Sequence, residues 1–243
     1  MLALPLHDTD RDAELVICIH GLAETPMIMA PAELMFRTNG YRVWNIAYPS
    51  TLQPIEELAD QYIAPRRDEA AAASRVHVVT HSLGGVLLHY CLQAHRPRRL
   101  GRVVMTSPGL HGSEAIEVYR HNPLYRLIYG PAAGQSGTGD DAFARVLPKS
   151  VDYELGVIAG AVSLDPVAST FIPWPNDGKI SAARTWLAGL DDHIVLPLPH
   201  DVTCSHPLAL FQIWSFIQSG RFFHFGNPQM PLPDADLAVA ANG

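Results

Sequence analysis

Val76-His77-Val78-Val79-Thr80-His81-Ser82-Leu83-Gly84-Gly85-Val86 is the stretch that decides the fold. Val76 to Thr80 reads as a buried strand and Val86 to Gln93 as a helix, with only a tight turn between them. The same alternation extends outward in both directions. Toward the N-terminus, Leu15 to Ile19 is an apolar run without alternation, as expected of a strand buried on both faces, and His20-Gly21 follows it. Pro26 to Arg37 reads as a helix with Thr25 as N-cap, ended by Asn39-Gly40. Arg42 to Tyr48 is a second strand, stopped by Pro49. Pro54 to Ala64 carries Ile55, Leu58, Ala59 and Tyr62 at amphipathic helical spacing, and Ala70 to Ala73 extend that helix past Pro65. Toward the C-terminus come the strands Arg102–Met105, Glu154–Val162 and His193–Leu198. A helix is expected near Ser181–Leu187. A closing helix spans His206–Ser219, with Gly220 at its C-cap.

Strands alternating with helices predict an α/β fold, a three-layer α/β/α sandwich around a mainly parallel sheet of about six strands. Residues 110–153 break the pattern and hold four closely spaced glycines, Gly130, Gly134, Gly137 and Gly139. They are expected to form a small cap insertion. Residues 1–226 then make one domain, and the Pro- and Ala-rich residues 227–243 are expected to be a frayed tail.

Composition narrows the function. Of 243 residues, 48% are apolar and 17% charged, which supports a real core and excludes a largely disordered chain. The net charge of −7 argues against nucleic-acid or anionic-membrane partners. No apolar stretch is long enough to span a membrane. Three cysteines, Cys18, Cys91 and Cys204, are too few and too scattered for a disulfide framework, so a reducing, cytoplasmic location is the expectation. Met1 to Asp12 lacks the basic start of a signal peptide.

In a parallel sheet, chemistry collects at the carboxyl ends of the strands. Ser82 stands there, in the strand–turn–helix setting of a nucleophile elbow, G-x-S-x-G, although Thr80 replaces the first glycine. The bland alternative is a serine capping a helix. The Leu83 amide, at the helix N-terminus, would face a developing oxyanion. Gly21 lets the chain after the first strand come close, making the Leu22 amide the second donor, with His20 orienting that loop on the substrate side. Among twelve histidines, His200 follows a complete strand, at the right edge and in the right chain order for a base. His77 and His89 read as structural, and His7, His95, His111, His121 and His224 as surface residues. His81 is expected to point elsewhere on the turn. For the acid, Asp177 in Asn176-Asp177-Gly178 is preferred over Asp165. Asp191 and Asp192 precede the last strand and sit at the wrong edge. Phe171, Ile172, Trp174 and the apolar residues of 124–129 would line an acyl site or pack the cap on the core. No zinc-type spacing occurs, so neither metal nor organic cofactor is expected.

VICIHGL, VVTHSLGG, NDGKI and HIVLPLPHD together resemble the α/β-hydrolase superfamily, most closely its compact bacterial lipase/esterase type, over about residues 14–220. The resemblance implies Ser82 as nucleophile, Asp177 as acid, His200 as base and the Leu22 and Leu83 amides as oxyanion donors. It implies cleavage of a small-molecule carboxylic ester, with an apolar acyl group or a lipid-like substrate, through an acyl-serine intermediate. Thioester or amide cleavage, acyl transfer, and a non-catalytic binding role on the same fold remain alternatives.

Overall fold

The computed structural model describes residues 13–165 and 167–224. The expected tail and most of the N-terminal segment lie outside them. Six strands form one sheet: β1 (Leu15–Ile19), β2 (Arg42–Ile46), β3 (Val76–His81), β4 (Leu100–Thr106), β5 (Leu155–Gly160) and β6 (Asp192–Leu196). The sheet order is β2-β1-β3-β4-β5-β6, and every neighbouring pair is parallel. The helices are α1 (Ala30–Thr38), α2 (Ile55–Leu58), α3 (Arg66–Glu69), α4 (Leu83–Cys91), α5 (Glu114–Tyr119), α6 (Pro123–Gln135) and α7 (Pro207–Ser219).

Burial on both faces explains the unbroken apolar strands. Along β1, Leu15, Ile17 and Ile19 pack into a core with Ile55 and Leu58 of α2 and Leu87 of α4. Val16 and Cys18 point the other way, into a core with Phe36 of α1 and Ile213 and Phe216 of α7. This is the three-layer arrangement, and each face removes a continuous apolar surface from water.

Several elements differ from the pattern-based expectation for local reasons. The helix expected from Pro26 begins as a 3₁₀ turn, Pro26–Met29, before α1. The long helix from Pro54 is broken: α2 passes into a π turn at Ala59–Ile63, and Pro65 separates it from α3. Proline lacks the N–H that would continue the ladder. The Ser181–Leu187 helix is only a 3₁₀ turn, Ala182–Thr185. β6 stops before Pro197, two residues short of the expected end. Between β4 and β5 lie α5 and α6, with Gly130 (φ 72°) kinking α6 ahead of Pro131. That segment closes over the carboxyl edge, where its residues meet those of the β1 and β6 ends in a pocket.

Candidate active site

The site is built on the turn between β3 and α4. Ser82 has φ 50° and ψ −118°, a conformation a side-chain-bearing residue adopts at a cost of about 1–3 kcal/mol. Its amide donates to the Thr106 carbonyl at 3.0 Å, so sheet pairing with β4 holds the strained residue in place. Its hydroxyl makes no capping bond to α4. The helix can start this close to the sheet because of two glycines. A Cβ on Gly84 would lie 2.4 Å from the Ile19 carbonyl oxygen, and one on Gly85 would lie 3.2 Å from Thr80 Oγ1. The room that a glycine at position 80 normally provides is supplied here by Gly85 across the turn.

His200 opens a 3₁₀ turn after β6 and is 3% exposed. Its Nε2 lies 3.0 Å from Ser82 Oγ and its Nδ1 lies 2.8 Å from Asp177 Oδ2. Its own amide donates to the Asp177 carbonyl at 3.1 Å. Asp177 sits at the end of β5, where an added Cβ on Gly160 would come within 2.7 Å of Asp177 Cβ. The other carboxylate oxygen of Asp177 accepts the amides of Lys179 at 3.0 Å and Ile180 at 2.9 Å. Burial opposes ionisation of this carboxyl, but His200, the Ser107 hydroxyl and the Ile180 amide outweigh it and hold its pKa at about 2. Asp165 lies on the pocket wall. Both ring nitrogens of His200 are already occupied by Ser82 and Asp177.

The loop after β1 faces Ser82. Gly21 donates its amide to Glu24 Oε2 at 2.6 Å, and Ala23 donates to Ser50 Oγ at 2.9 Å. The Leu22 amide between them has no partner among the described residues, and Leu22 lines the pocket. Leu83 is the first residue of α4, where an amide has no preceding turn to bond. His20 is fully buried and lies outside the pocket lining. Its ring stacks on Tyr48 at 4.1 Å, and its carbonyl accepts the Tyr48 hydroxyl at 2.5 Å. Burial lowers its pKa, favouring the neutral ring.

The pocket holds about 230 Å³ and opens beside Ser82 and His200. Its far wall is Ile116 with three stacked tyrosines from α5 and α6, Tyr119, Tyr125 and Tyr129. Phe171 and Trp174 do not line it; they stand 61% and 84% exposed. Three participants escaped the sequence reading. Glu24 and Lys179 line the pocket, and His81 turns inward against His200, ring centroids 4.9 Å apart. The signal for Glu24 was weak: an acidic residue three positions past Gly21 in a short loop. Two expected surface histidines are tied down instead. His111 bonds the Trp186 carbonyl at 2.9 Å, and His224 meets Asp192 at 3.0 Å.

The parallel sheet with its strand–turn–helix unit and flanking helices is the α/β-hydrolase fold. The chain is similar to a Bacillus licheniformis lipase in its mature form, with a TM-score of 0.69 and 16% identity over 88% of this chain and 94% of that one. It is also similar to a metagenome-derived lipolytic enzyme (TM-score 0.61, 17% identity, 86% of this chain and 95% of the other). A third likeness is to a thioesterase of the prodiginine biosynthetic pathway of Streptomyces coelicolor (TM-score 0.56, 14% identity, 90% and 91% covered). No protein-family model matches the sequence, and no curated protein matches it. At these identities the likeness is one of fold.

Proposed function

We propose that the protein is a serine hydrolase that cleaves small carboxylic esters through an acyl-serine intermediate. The observation that carries this reading is the continuous line from Asp177 through His200 to Ser82, with contacts of 2.8 and 3.0 Å, ending on a strained turn.

Ser82 Oγ attacks the ester carbonyl carbon while His200 Nε2 takes its proton. Asp177 accepts the hydrogen bond from Nδ1, fixes that tautomer and stabilises the imidazolium. The negative charge on the former carbonyl oxygen is met by the Leu22 and Leu83 amides, which need no reorganisation to receive it. The tetrahedral adduct collapses, the alkoxide leaves with the proton from His200, and the acyl group stays on Ser82. Water, deprotonated by His200, then attacks the acyl-serine and releases the acid.

The pocket supports a modest acyl group. Its 230 Å³ falls below the roughly 300–1,000 Å³ of ligand sites for drug-sized molecules. Its tyrosine and isoleucine wall suits apolar atoms. The test is hydrolysis of p-nitrophenyl esters from two to sixteen acyl carbons, with wild type beside Ser82→Ala, together with labelling by a fluorophosphonate. The expected result is turnover best at short to medium chains, absent in the variant, and labelling only of wild type. A wild type that neither turns over esters nor labels overturns the reading in favour of a binding protein. Labelling together with thioester cleavage but no ester cleavage moves the substrate class.

A further inference from the structure

We propose that Glu24 and His81 form a latch that joins the loop after β1 to the residue preceding the nucleophile, setting the Leu22 amide against Ser82. This rests on the serine-hydrolase reading and assigns both side chains as positioning residues within it.

One carboxylate holds both sides of the site. Glu24 Oε2 accepts the Gly21 amide at 2.6 Å. Glu24 Oε1 lies 3.1 Å from His81 Nε2, in ion-pair contact. His81 is the last residue of β3, fully buried and adjacent in sequence to Ser82. The loop backbone is wedged between the two: a Cβ on Gly21 would lie 2.8 Å from Glu24 Oε2 and 2.9 Å from Ser82 Cβ. Moving Glu24 therefore moves the loop relative to the nucleophile. With the Gly21 and Ala23 amides both bound, the Leu22 amide is the loop donor left for an oxyanion.

The hydrogen bonds around His81 fix the orientation of its ring. Its Nδ1 lies 3.1 Å from Thr106 Oγ1, and that hydroxyl donates to the Thr80 carbonyl at 3.0 Å. The hydroxyl is therefore an acceptor toward the ring, and Nδ1 carries a hydrogen. Nε2 then faces Glu24 Oε1 at 3.1 Å, a contact closer in charge than in hydrogen-bond geometry. Burial opposes ionisation of Glu24, but His81 and the Gly21 amide overcome it and hold its pKa below the usual carboxylate value. The electrostatic consequence matters for catalysis. An uncompensated carboxylate beside Ser82 would oppose the developing oxyanion in a low-dielectric site. Held between the Gly21 amide and the His81 ring, the carboxylate grips the loop with its charge turned toward those two groups.

The experiment compares wild type, Glu24→Ala and Glu24→Gln in steady-state ester hydrolysis, with thermal midpoints measured for each. In Glu24→Ala the loop is released, and kcat is expected to fall about 100-fold, as for loss of one oxyanion donor, with KM within about threefold. In Glu24→Gln the amide oxygen still accepts from Gly21 and the amide nitrogen still faces His81 Nε2. Its kcat is expected to recover to within about fivefold of wild type, since donor geometry is kept. A Glu24→Ala enzyme with kcat within threefold of wild type overturns the latch, as does a kcat loss that Glu24→Gln leaves unrecovered. If the alanine variant does not fold, Glu24→Asp decides. One methylene shorter, it cannot bridge Gly21 and His81, so a kcat loss of about tenfold at unchanged KM is expected, and undiminished kcat overturns the proposal. Fluorophosphonate labelling of wild type separates this from the parent reading. A wild type that is inert and unlabelled removes the hydrolase reading itself, whereas an active, labelled wild type with an indifferent Glu24→Ala removes only the latch.

Discussion

Two histidine–aspartate pairs, each built on a buried carboxylate, lie at opposite edges of the same sheet. At the carboxyl edge, His200 Nδ1 meets Asp177 Oδ2 at 2.8 Å. At the amino edge, Asp192 opens β6, is 2% exposed, and meets His224 Nε2 at 3.0 Å. Chemically the pairs are alike, an imidazole against a buried carboxylate. Their surroundings differ. The second nitrogen of His200 faces Ser82 Oγ on a strained turn, beside the Leu22 and Leu83 amides, which have no partner among the described residues. Asp192 instead takes the Phe222 amide at 2.8 Å and so pins the chain that follows α7 to the sheet. The pair alone does not make a reactive centre; what the carboxyl edge of a parallel sheet adds to it does.

The sharpest way to break that contrast is to remove the nucleophile. Ser82→Ala is expected to lower ester hydrolysis by about 10⁴-fold or more, since members of such a unit fail together. Initial rates on a p-nitrophenyl ester check it. Substantial activity left in Ser82→Ala would put the chemistry elsewhere and erase the distinction between the edges. Asp177→Asn comes next. It keeps the shape but allows the wrong imidazole tautomer, and kcat is expected to drop about 10³–10⁴-fold. The corresponding Asp192→Asn is expected to leave kcat unchanged within twofold.

Which end of the sheet these residues occupy was legible in the sequence. Chain order and strand position separated His200 and Asp177 from Asp191 and Asp192, because alternating strands and helices force all strands to point one way. β1 was legible because Leu15–Ile19 is apolar without alternation, and it splits its side chains between two cores. Segments whose conformation depends on tertiary contact were less legible. The break after α2 follows Pro65, but its π turn has no sequence signature. His81 and Glu24 were missed because their meeting requires the ends of β1 and β3 to be adjacent, a pairing that local sequence does not encode. His224 was missed for the same reason: its partner lies 32 positions away, across the sheet.

A smaller and separable effect is expected in stability against acid. The Asp177 carboxyl is held at about 2, below its usual 3.8. A carboxyl depressed in the folded state stabilises that state fully above its unfolded pKa of about 4, and the contribution is lost as pH falls toward 2. Its size is on the order of 2 kcal/mol. Urea unfolding of wild type and Asp177→Asn at intervals from pH 7 to pH 2 reads it directly. The stability gap between the two is expected to be constant above pH 5 and to close below pH 4. A gap that does not change with pH would mean that the carboxyl is not depressed, and that His200 holds it less firmly than the 2.8 Å contact implies.

The smallest effect should come from the amino edge. His224→Ala removes one partner of the Asp192 carboxylate but leaves the Phe222 amide in place. Losing one hydrogen bond to a buried charged group, with a second retained and water able to reach the half-buried site, is worth about 1 kcal/mol. For a domain of this size that lowers the thermal midpoint by about 2–4 °C. Ester hydrolysis, measured well below the midpoint, should stay within twofold of wild type, because the pair lies at the edge opposite Ser82 and touches none of the groups around it. His224→Gln, which keeps a donor, should recover part of the midpoint. A tenfold loss of activity in a folded His224→Ala would show that the two edges are coupled through β6, the one strand that begins at Asp192 and leads to His200. The anchoring pair would then belong to the mechanism as much as the pair it was contrasted with.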